Sequence, residues 1–342
     1  MSRPLRVGIV GAGGIVRLRH WPGLKVIEGV TLAAVANSNE GSAHRFLDEV
    51  GVRAVVMPDW PSLVASPDID IVWIAAHPNL HEPVTTRALA SGKHVFCQAR
   101  MARDLDEAQR MFQAAEARPD LVTMLCPPPY GLRNDAFIRR LLADQILGPI
   151  RHLRLRSLNA SFVDPSAPTH WRQRREVSGR NVMTLGIYSE ILQRWFGDIA
   201  SLEAEGEITT PLRHGETITI PDRLTVRAQF SNGADATLEF SNVYPNPAEE
   251  SLVITGENGT LTADFAAETL TLLTKNRAEL LSTPSELDRP WQVERDFIDA
   301  VRNPSAPRPH PTFRDGTAYM RVVDAVESAR LTASRQFLEV PN

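Results

Sequence analysis

Along the first third of this chain the apolar residues fall in short unbroken runs, with stretches of helical spacing between them. The runs cover residues 6–10, 30–36, 53–56, 69–76, 93–97 and 121–126, and the intervening helices are read at 15–18, 42–50, 60–65, 83–91 and 105–117. A run that is apolar at every position suits a strand buried on both faces, and alternation of such strands with helices predicts a parallel sheet covered on both sides. Gly92 sits where one helix should end, as a C-cap. The pattern then changes. Residues 134–144 place Phe137, Ile138, Leu141 and Leu142 on one face of a helix, and residues 150–158 alternate apolar side chains with arginines, as in a strand with one exposed face. A helix is expected over 181–196. From residue 199 to 273 strand follows strand, at 202–208, 223–230, 234–240, 251–255, 260–264 and 269–273, with Asn232-Gly233 and Asn258-Gly259 as hairpin turns. Helices at 291–301 and 315–333 close the chain.

This is an α/β pattern with two domains. Residues 1–125 should form a doubly wound parallel sheet, and residues 126–342 an α/β domain around a large open, mostly antiparallel sheet. Cys126-Pro127-Pro128-Pro129-Tyr130 makes a stiff crossing between them. A sheet with one uncovered face leaves apolar surface in water, so assembly as a homodimer or homotetramer is expected through the strands between residues 199 and 273.

Composition narrows the function. The 342 residues are 43% apolar and 23% charged, as in ordinary globular proteins, and the net charge of −4 leaves no footprint for nucleic acid or an anionic membrane. No apolar run is long enough to span a bilayer. Met1 to Arg6 lead straight into a strand without room for a signal peptide, so the expected location is cytoplasmic. Two cysteines, Cys97 and Cys126, are too few for a disulfide framework and lack metal-ligand spacing.

The candidate chemistry begins at Val7-Gly8-Ile9-Val10-Gly11-Ala12-Gly13-Gly14-Ile15-Val16. Gly11 permits a tight turn after the strand, Gly13 permits close backbone approach, and a helix starting at Gly14 or Ile15 points its first amides at the turn. That is an anion site of the kind that holds a dinucleotide pyrophosphate, and it opens a Rossmann unit. The sixth fingerprint position is Val16 rather than Gly or Ala; the alternative is a structural turn with no ligand. The second strand ends at Asn37-Ser38-Asn39. A carboxylate there would hold the ribose hydroxyls and repel a 2′-phosphate, but Asn37 is neutral, which leaves NAD and NADP both open. The plainer alternative for Asn37 is a turn residue or helix cap. His77 and His81 stand four apart, but Pro78 between them and the lack of a third ligand argue against a metal, and none is expected.

Further residues, taken in order, carry a resemblance. They are Gly11-Ala12-Gly13-Gly14-Ile15 with His20-Trp21-Pro22, Pro78-Asn79-Leu80-His81, Ser91 to Cys97, Leu147-Gly148-Pro149-Ile150, Trp171-Arg172, Gly179 to Tyr188, Gly256 to Leu261, Phe297 to Val301 and Arg314-Asp315-Gly316. With these the chain resembles the glucose-fructose oxidoreductase / inositol dehydrogenase / MocA family over nearly its whole length. The resemblance implies an N-terminal Rossmann domain and a C-terminal α/β domain whose open sheet mediates assembly. It further implies NAD or NADP as cofactor and a sugar- or polyol-like small molecule as substrate. Gly11, Gly13, Gly14, Ile15, Asn37, Ser38, Pro78, Asn79, His81 and Gln98 are the implied cofactor-binding residues, with His81 near the nicotinamide.

The chain departs from the family where the chemistry lies. The family's Glu-Lys-Pro reads Gln98-Ala99-Arg100, so the lysine is lost, and in the family's Asp-x-Gly-x-His the aspartate is Thr184 and the histidine Tyr188. Tyr188 is therefore the expected acid/base. A phenol has a pKa near about 10 and needs a cation beside it to act near neutrality. Arg100, Arg172 or Arg180 would supply the charge, and His170 would relay the proton. His170 and Arg172 lie in a basic loop, residues 159–175, that in the family approaches substrate; the alternative is a solvated surface loop. The expected activity is hydride transfer between NAD(P) and a sugar or polyol. The alternatives are a dinucleotide-binding regulator or sensor without chemistry, and a lyase or isomerase that uses retained NAD transiently.

Overall fold

In the computed structural model, which describes residues 3–129, 133–303 and 305–339, the apolar runs of the first third pair as one six-stranded sheet. Its strands are β1 (Leu5–Val10), β2 (Val30–Ala36), β3 (Val55–Val56), β4 (Ile71–Ile74), β5 (His94–Cys97) and β6 (Thr123–Leu125), in the order β3-β2-β1-β4-β5-β6. All neighbours are parallel. Every side chain of β4 is buried, as an unbroken apolar run requires. The run at 53–56 yields only two paired residues. Five helices lie between the strands: α1 (Trp21–Leu24), preceded by a π-helical turn over Val16–His20, then α2 (Glu40–Val50), α3 (Trp60–Ala65), α4 (His81–Ala90) and α5 (Leu105–Glu116). Three of them start alike. Asn39, Asp59 and Asp104 accept the backbone N–H of Ser42, Ser62 and Glu107, the N-cap bond that stops those helices fraying. The strand order reverses between β1 and β4, so a crevice opens beyond the C-terminal ends of these two strands.

A second sheet has nine strands. After α6 (Asp135–Ala143) come β7 (Ile150–Leu158), α7 (Arg175–Ser178), α8 (Leu185–Phe196), β8 (Ile199–Glu207) and the short pair β9 (Leu212–Arg213) and β10 (Glu216–Thr217). Then follow β11 (Arg223–Phe230), β12 (Asp235–Ser241), β13 (Glu249–Gly256), β14 (Gly259–Asp264), β15 (Thr269–Thr274) and β16 (Arg277–Leu281). Helices α9 (Val293–Arg302) and α10 (Phe313–Thr332) and strand β17 (Gln336–Phe337) complete the chain. The order is β16-β15-β14-β13-β7-β12-β11-β8-β17; β7 and β12 are parallel and the other neighbours antiparallel. Inward residues such as Leu153, Leu155, Val226, Leu238 and Phe240 are buried, and α8 packs on this face through Tyr188 against Phe240 and Phe196 against Phe230.

The outward face corrects one expectation. It is not an apolar surface awaiting cover: Arg156 pairs with Glu249 at 2.6 Å, Arg223 with Glu207 at 2.7 Å, Arg227 with Glu205 at 3.2 Å and Arg154 with Glu239 at 3.4 Å. The alternation that sends leucines inward sends these charges outward, where cross-strand partners meet.

Contacts divide the chain into two units, Met1–Pro127 with Gln292–Thr317, and Pro128–Trp291 with Ala318–Asn342. A single cut near residue 125 therefore omits a return of the chain to the first unit. The reason is the apolar face of α9. Phe297 lies edge-on to Trp73 and Phe96, ring centroids 5.7 and 5.8 Å away, and so completes the aromatic core beside β4 and β5. Of the proline crossing, Tyr130 lies outside the described residues. Among the described residues no helix is long and apolar enough to cross a membrane.

Candidate functional site

The glycine turn sits at the mouth of the β1/β4 crevice. Gly11 has φ +86°, its N–H donates to the Ala36 carbonyl at 2.9 Å, and an added Cβ would stand 2.6 Å from the Ala76 backbone. Gly11 is thus demanded by the fold itself. Gly13 and Gly14 are different. A Cβ on Gly13 would meet nothing nearer than the Gly11 carbonyl at 4.0 Å, and one on Gly14 nothing within 4 Å. Gly14 is exposed, and Gly13 borders a cavity of about 610 Å³ lined by Gly11, Ala12, Gly13, Asn37, Ser38, Arg45, Ala76 and His77, among others. A side chain at Gly13 would intrude on whatever enters this cavity at the first turn of the helix, so the cradle fits the pyrophosphate of a dinucleotide. Ile15 lies in that first turn.

Asn37 does two things at once. Its Oδ1 accepts the Ala12 N–H at 2.7 Å and its Nδ2 donates to Ser42 Oγ at 3.1 Å, so the side chain ties the glycine turn to the start of α2. It also lines the cavity with Ser38, at the end where a ribose would lie. Arg17, in the same lining, is paired with Glu49 at 2.5 Å. Arg45 lines the cavity too, and makes no hydrogen bond or ion pair among the described residues.

The other expected contacts of this unit are rearranged by packing. Pro78 and Asn79 form a short 3-10 turn, with Pro78 buried; their neighbours His77 and Leu80 face the cavity. His81 is 1% exposed. Its Nδ1 lies 2.8 Å from the Arg100 carbonyl and 3.2 Å from that of Met101, and its Nε2 lies 2.9 Å from the Ala76 carbonyl. Both ring nitrogens face backbone, and the ring pins the loop after β4 to the loop after β5. Burial pushes its pKa below the ordinary histidine value, against the pull of the carbonyls. Gln98 is likewise engaged, its Oε1 3.0 Å from His20 Nε2, and the opposite nitrogen of His20 is 2.6 Å from Glu294 on α9. Among the described residues no group of three or more His, Cys, Asp or Glu could hold a metal ion.

The second unit carries a separate polar cluster. Tyr188, fully buried on α8, donates its hydroxyl to Glu250 on β13. Glu250 also accepts from Ser157 Oγ at 3.1 Å, and Ser157 shares a 2.7 Å hydrogen bond with Thr184 Oγ1, one turn before Tyr188. The hydrogen-bond acceptor of the phenol is the Glu250 carboxylate. Arg180 is paired with Asp324 at 2.5 Å, and Arg172 stacks over Trp171 at 4.3 Å. His170 caps the turn Trp171–Gln173, its Nδ1 accepting the Arg172 N–H at 3.2 Å. Nearby basic residues are matched as well, Arg174 with Glu216 at 2.7 Å and Arg175 with Glu327 at 2.9 Å. Sequence reasoning missed Glu250. A signal existed: in the alternation of β13, Glu250 shares the inward side with Leu252 and Ile254, an acid where an apolar residue is the rule.

Comparison with known proteins agrees with this geometry. Residues 5–125 match the model described as the oxidoreductase family, NAD-binding Rossmann fold, GFO/IDH/MocA, and residues 136–262 match the GFO/IDH/MocA C-terminal domain. The myo-inositol 2-dehydrogenase of Thermotoga maritima is 22% identical over 80% of this chain and 80% of its own length. The dTDP-3,4-didehydro-2,6-dideoxy-alpha-D-glucose 3-reductase of Actinomadura kijaniata is 29% identical over 55% of this chain; the chain spans about half the length of that relative, 54%. Among solved structures, levoglucosan dehydrogenase in complex with NADH and levoglucosan superposes with a TM-score of 0.87 over 99% of this chain and 100% of that one, at 20% identity, which shows a common fold.

Proposed function

Since the chain belongs to the GFO/IDH/MocA oxidoreductase family, we propose that it is an NAD(P)-dependent dehydrogenase or reductase acting on a sugar- or polyol-like small molecule. The observation that carries this is the cradle at Gly13, where a missing side chain leaves room beside the cavity at the glycine turn. When bound, the nicotinamide supplies the hydride acceptor or donor. The chain's own residues do the rest. The backbone of the glycine turn takes the pyrophosphate, Asn37 keeps that turn closed on α2, and Ser38 and Arg45 face the ribose end. With no acid at Asn37 or Ser38, the reading includes NADP(H) beside NAD(H). Proton transfer falls to the Tyr188–Glu250 cluster, and His170 and Arg172 contribute to substrate binding. Assembly as a dimer or tetramer through the nine-stranded sheet is part of the same reading, by contacts between its outward charges rather than between apolar side chains.

One observation favours a second reading. Ala99 and Thr184 offer no titratable group where the family has lysine and aspartate, as would suit a sensor without chemistry or a lyase that retains its cofactor. Calorimetric titration with NADH and NADPH, followed by a turnover screen over sugars and polyols including myo-inositol and levoglucosan, separates the readings. Exchangeable cofactor with turnover supports the dehydrogenase. Binding without turnover over the whole panel overturns it in favour of the sensor, and cofactor carried through purification favours the lyase.

A further inference from the structure

One wall of the cavity at the glycine turn is a single face of α2. Ser42, Arg45, Phe46 and Glu49 all line it, and residues three, four and seven positions on from Ser42 lie on its side of the helix. The Arg45 guanidinium folds back over the first turn of α2, its Nη1 3.8 Å from the place a Cβ on Gly41 would take. It therefore stands toward the loop of residues 37–39 that joins β2 to α2. Glu49 lies one turn beyond Arg45 and holds Arg17, from the helix after the glycine turn, at 2.5 Å. Two guanidinium groups thus meet one face of α2, about one helical turn apart.

The acids around them are neutral in effect. The position at the end of β2 where a carboxylate would hold the ribose diol is Asn37, and both ends of its amide are engaged, by Ala12 and by Ser42. Of the carboxylates that line the cavity, Glu49 is paired with Arg17, and Asp59 accepts the Ser62 N–H at 2.8 Å in the cap of α3. Glu40, the acid in the first turn of α2, does not line it.

We propose that this cavity takes NADP(H) in preference to NAD(H): Arg45 and Arg17 clamp the 2′-phosphate of the adenosine ribose, and Glu49 is the counter-ion that holds Arg17 until that phosphate takes it over. The inference rests on the reading of the cavity as a dinucleotide site. A phosphate monoester carries a charge of about −1.5 to −2 near pH 7 and three acceptor oxygens, enough for the forked donors of two arginines. The Arg17 and Glu49 side chains are 45% and 47% exposed, and an ion pair so open to water is weak, so its exchange for the phosphate costs little. NAD(H) offers only a hydroxyl at this point, which gives neither guanidinium a charged partner.

The test is calorimetry on the full-length chain with two fragments that differ by one phosphate, 2′,5′-ADP and 5′-AMP, beside NADPH and NADH. The wild-type chain should bind 2′,5′-ADP more tightly than 5′-AMP by about tenfold or more, and NADPH more tightly than NADH by a similar factor. Arg45→Met and Arg17→Met should each cut that ratio by about fivefold or more, while Arg17→Lys keeps part of it. Glu49→Gln releases Arg17 and removes a like charge from beside the phosphate, so the ratio should rise by roughly threefold. Thermal midpoints establish that each variant is folded. A wild-type ratio near one, or a ratio that both arginine variants leave intact, overturns the clamp; NADH binding then leaves the dehydrogenase reading standing. A ratio that does not rise in Glu49→Gln overturns the counter-ion role of Glu49. A chain that binds none of the four probes overturns the clamp and the dinucleotide site together.

Discussion

His20 and Glu294 stand 274 positions apart in sequence and 2.6 Å apart in the fold, both sealed from solvent. The bond joins the helix after the glycine turn to α9, and through the other ring nitrogen of His20 it reaches Gln98 at the end of β5. Gly23 lets the two helices close, since a Cβ there would lie 2.4 Å from the Glu294 carboxylate. Replacing Glu294 with alanine takes the carboxylate from the Nδ1 side of the imidazole in a dry site and leaves a gap there. Loss of about 3 kcal/mol is expected, read as a lower denaturation midpoint. An unchanged midpoint would show the bond to be dispensable.

The glycines of the turn should separate by substitution. Gly11→Ala places a Cβ against the Ala76 backbone at a positive φ, so it should destabilise the fold by about 2 kcal/mol or more. Gly13→Val meets open space and should leave the melting temperature nearly unchanged while abolishing NADH binding. Calorimetry on both variants checks the contrast; undiminished binding by Gly13→Val would place the dinucleotide elsewhere.

His81 predicts a pH dependence. Its folded pKa is depressed by burial, so below about 6.5 the unfolded chain takes up a proton that the folded chain resists. The stability it contributes is complete above that pH and is lost as the pH falls through it. Urea unfolding between pH 7.5 and 5 should show this slope, and His81→Gln should flatten part of it, with about one proton fewer taken up on unfolding. An identical slope in the variant would mean that His81 is protonated in both states.

Arg45 bears on cofactor choice. Among the described residues Arg45 has no ion partner, and a guanidinium lining the same cavity as neutral Asn37 and Ser38 favours a 2′-phosphate. Arg45→Glu should lower the NADP/NAD ratio of kcat/KM by roughly tenfold or more. A ratio that does not move would remove Arg45 from the ribose site.

The outward ion pairs of the nine-stranded sheet bear on assembly. Association through such a face depends on charge, and salt screens it. Light scattering should give two or four times the chain mass in dilute buffer, and a smaller mass near 1 M salt, where screening extends over about 3 Å. A single-chain mass in dilute buffer would exclude the assembly.

What the sequence determined by itself was the local grammar. The mostly apolar runs at 30–36 and 69–76 pointed to buried strands, and the alternation at 150–158 pointed to a strand with one wet face. Gly11 was legible because a sharp turn needs a residue free at positive φ. These features depend on neighbours in sequence, and their physics is short-ranged. The tertiary structure decided what depends on partners far along the chain. Nothing local told His81 that three carbonyls from two loops would surround it, or sent α9 back to the first sheet to fill the aromatic core beside Trp73. The same holds for the phenol of Tyr188. Its motif position marked it for chemistry, but its partner was fixed by a strand 62 residues later, where the β7–β13 register turns Glu250 inward. An acid turned inward by its place in a strand has no signature in the sequence around the residue it serves, because register is set by the pairing of whole strands.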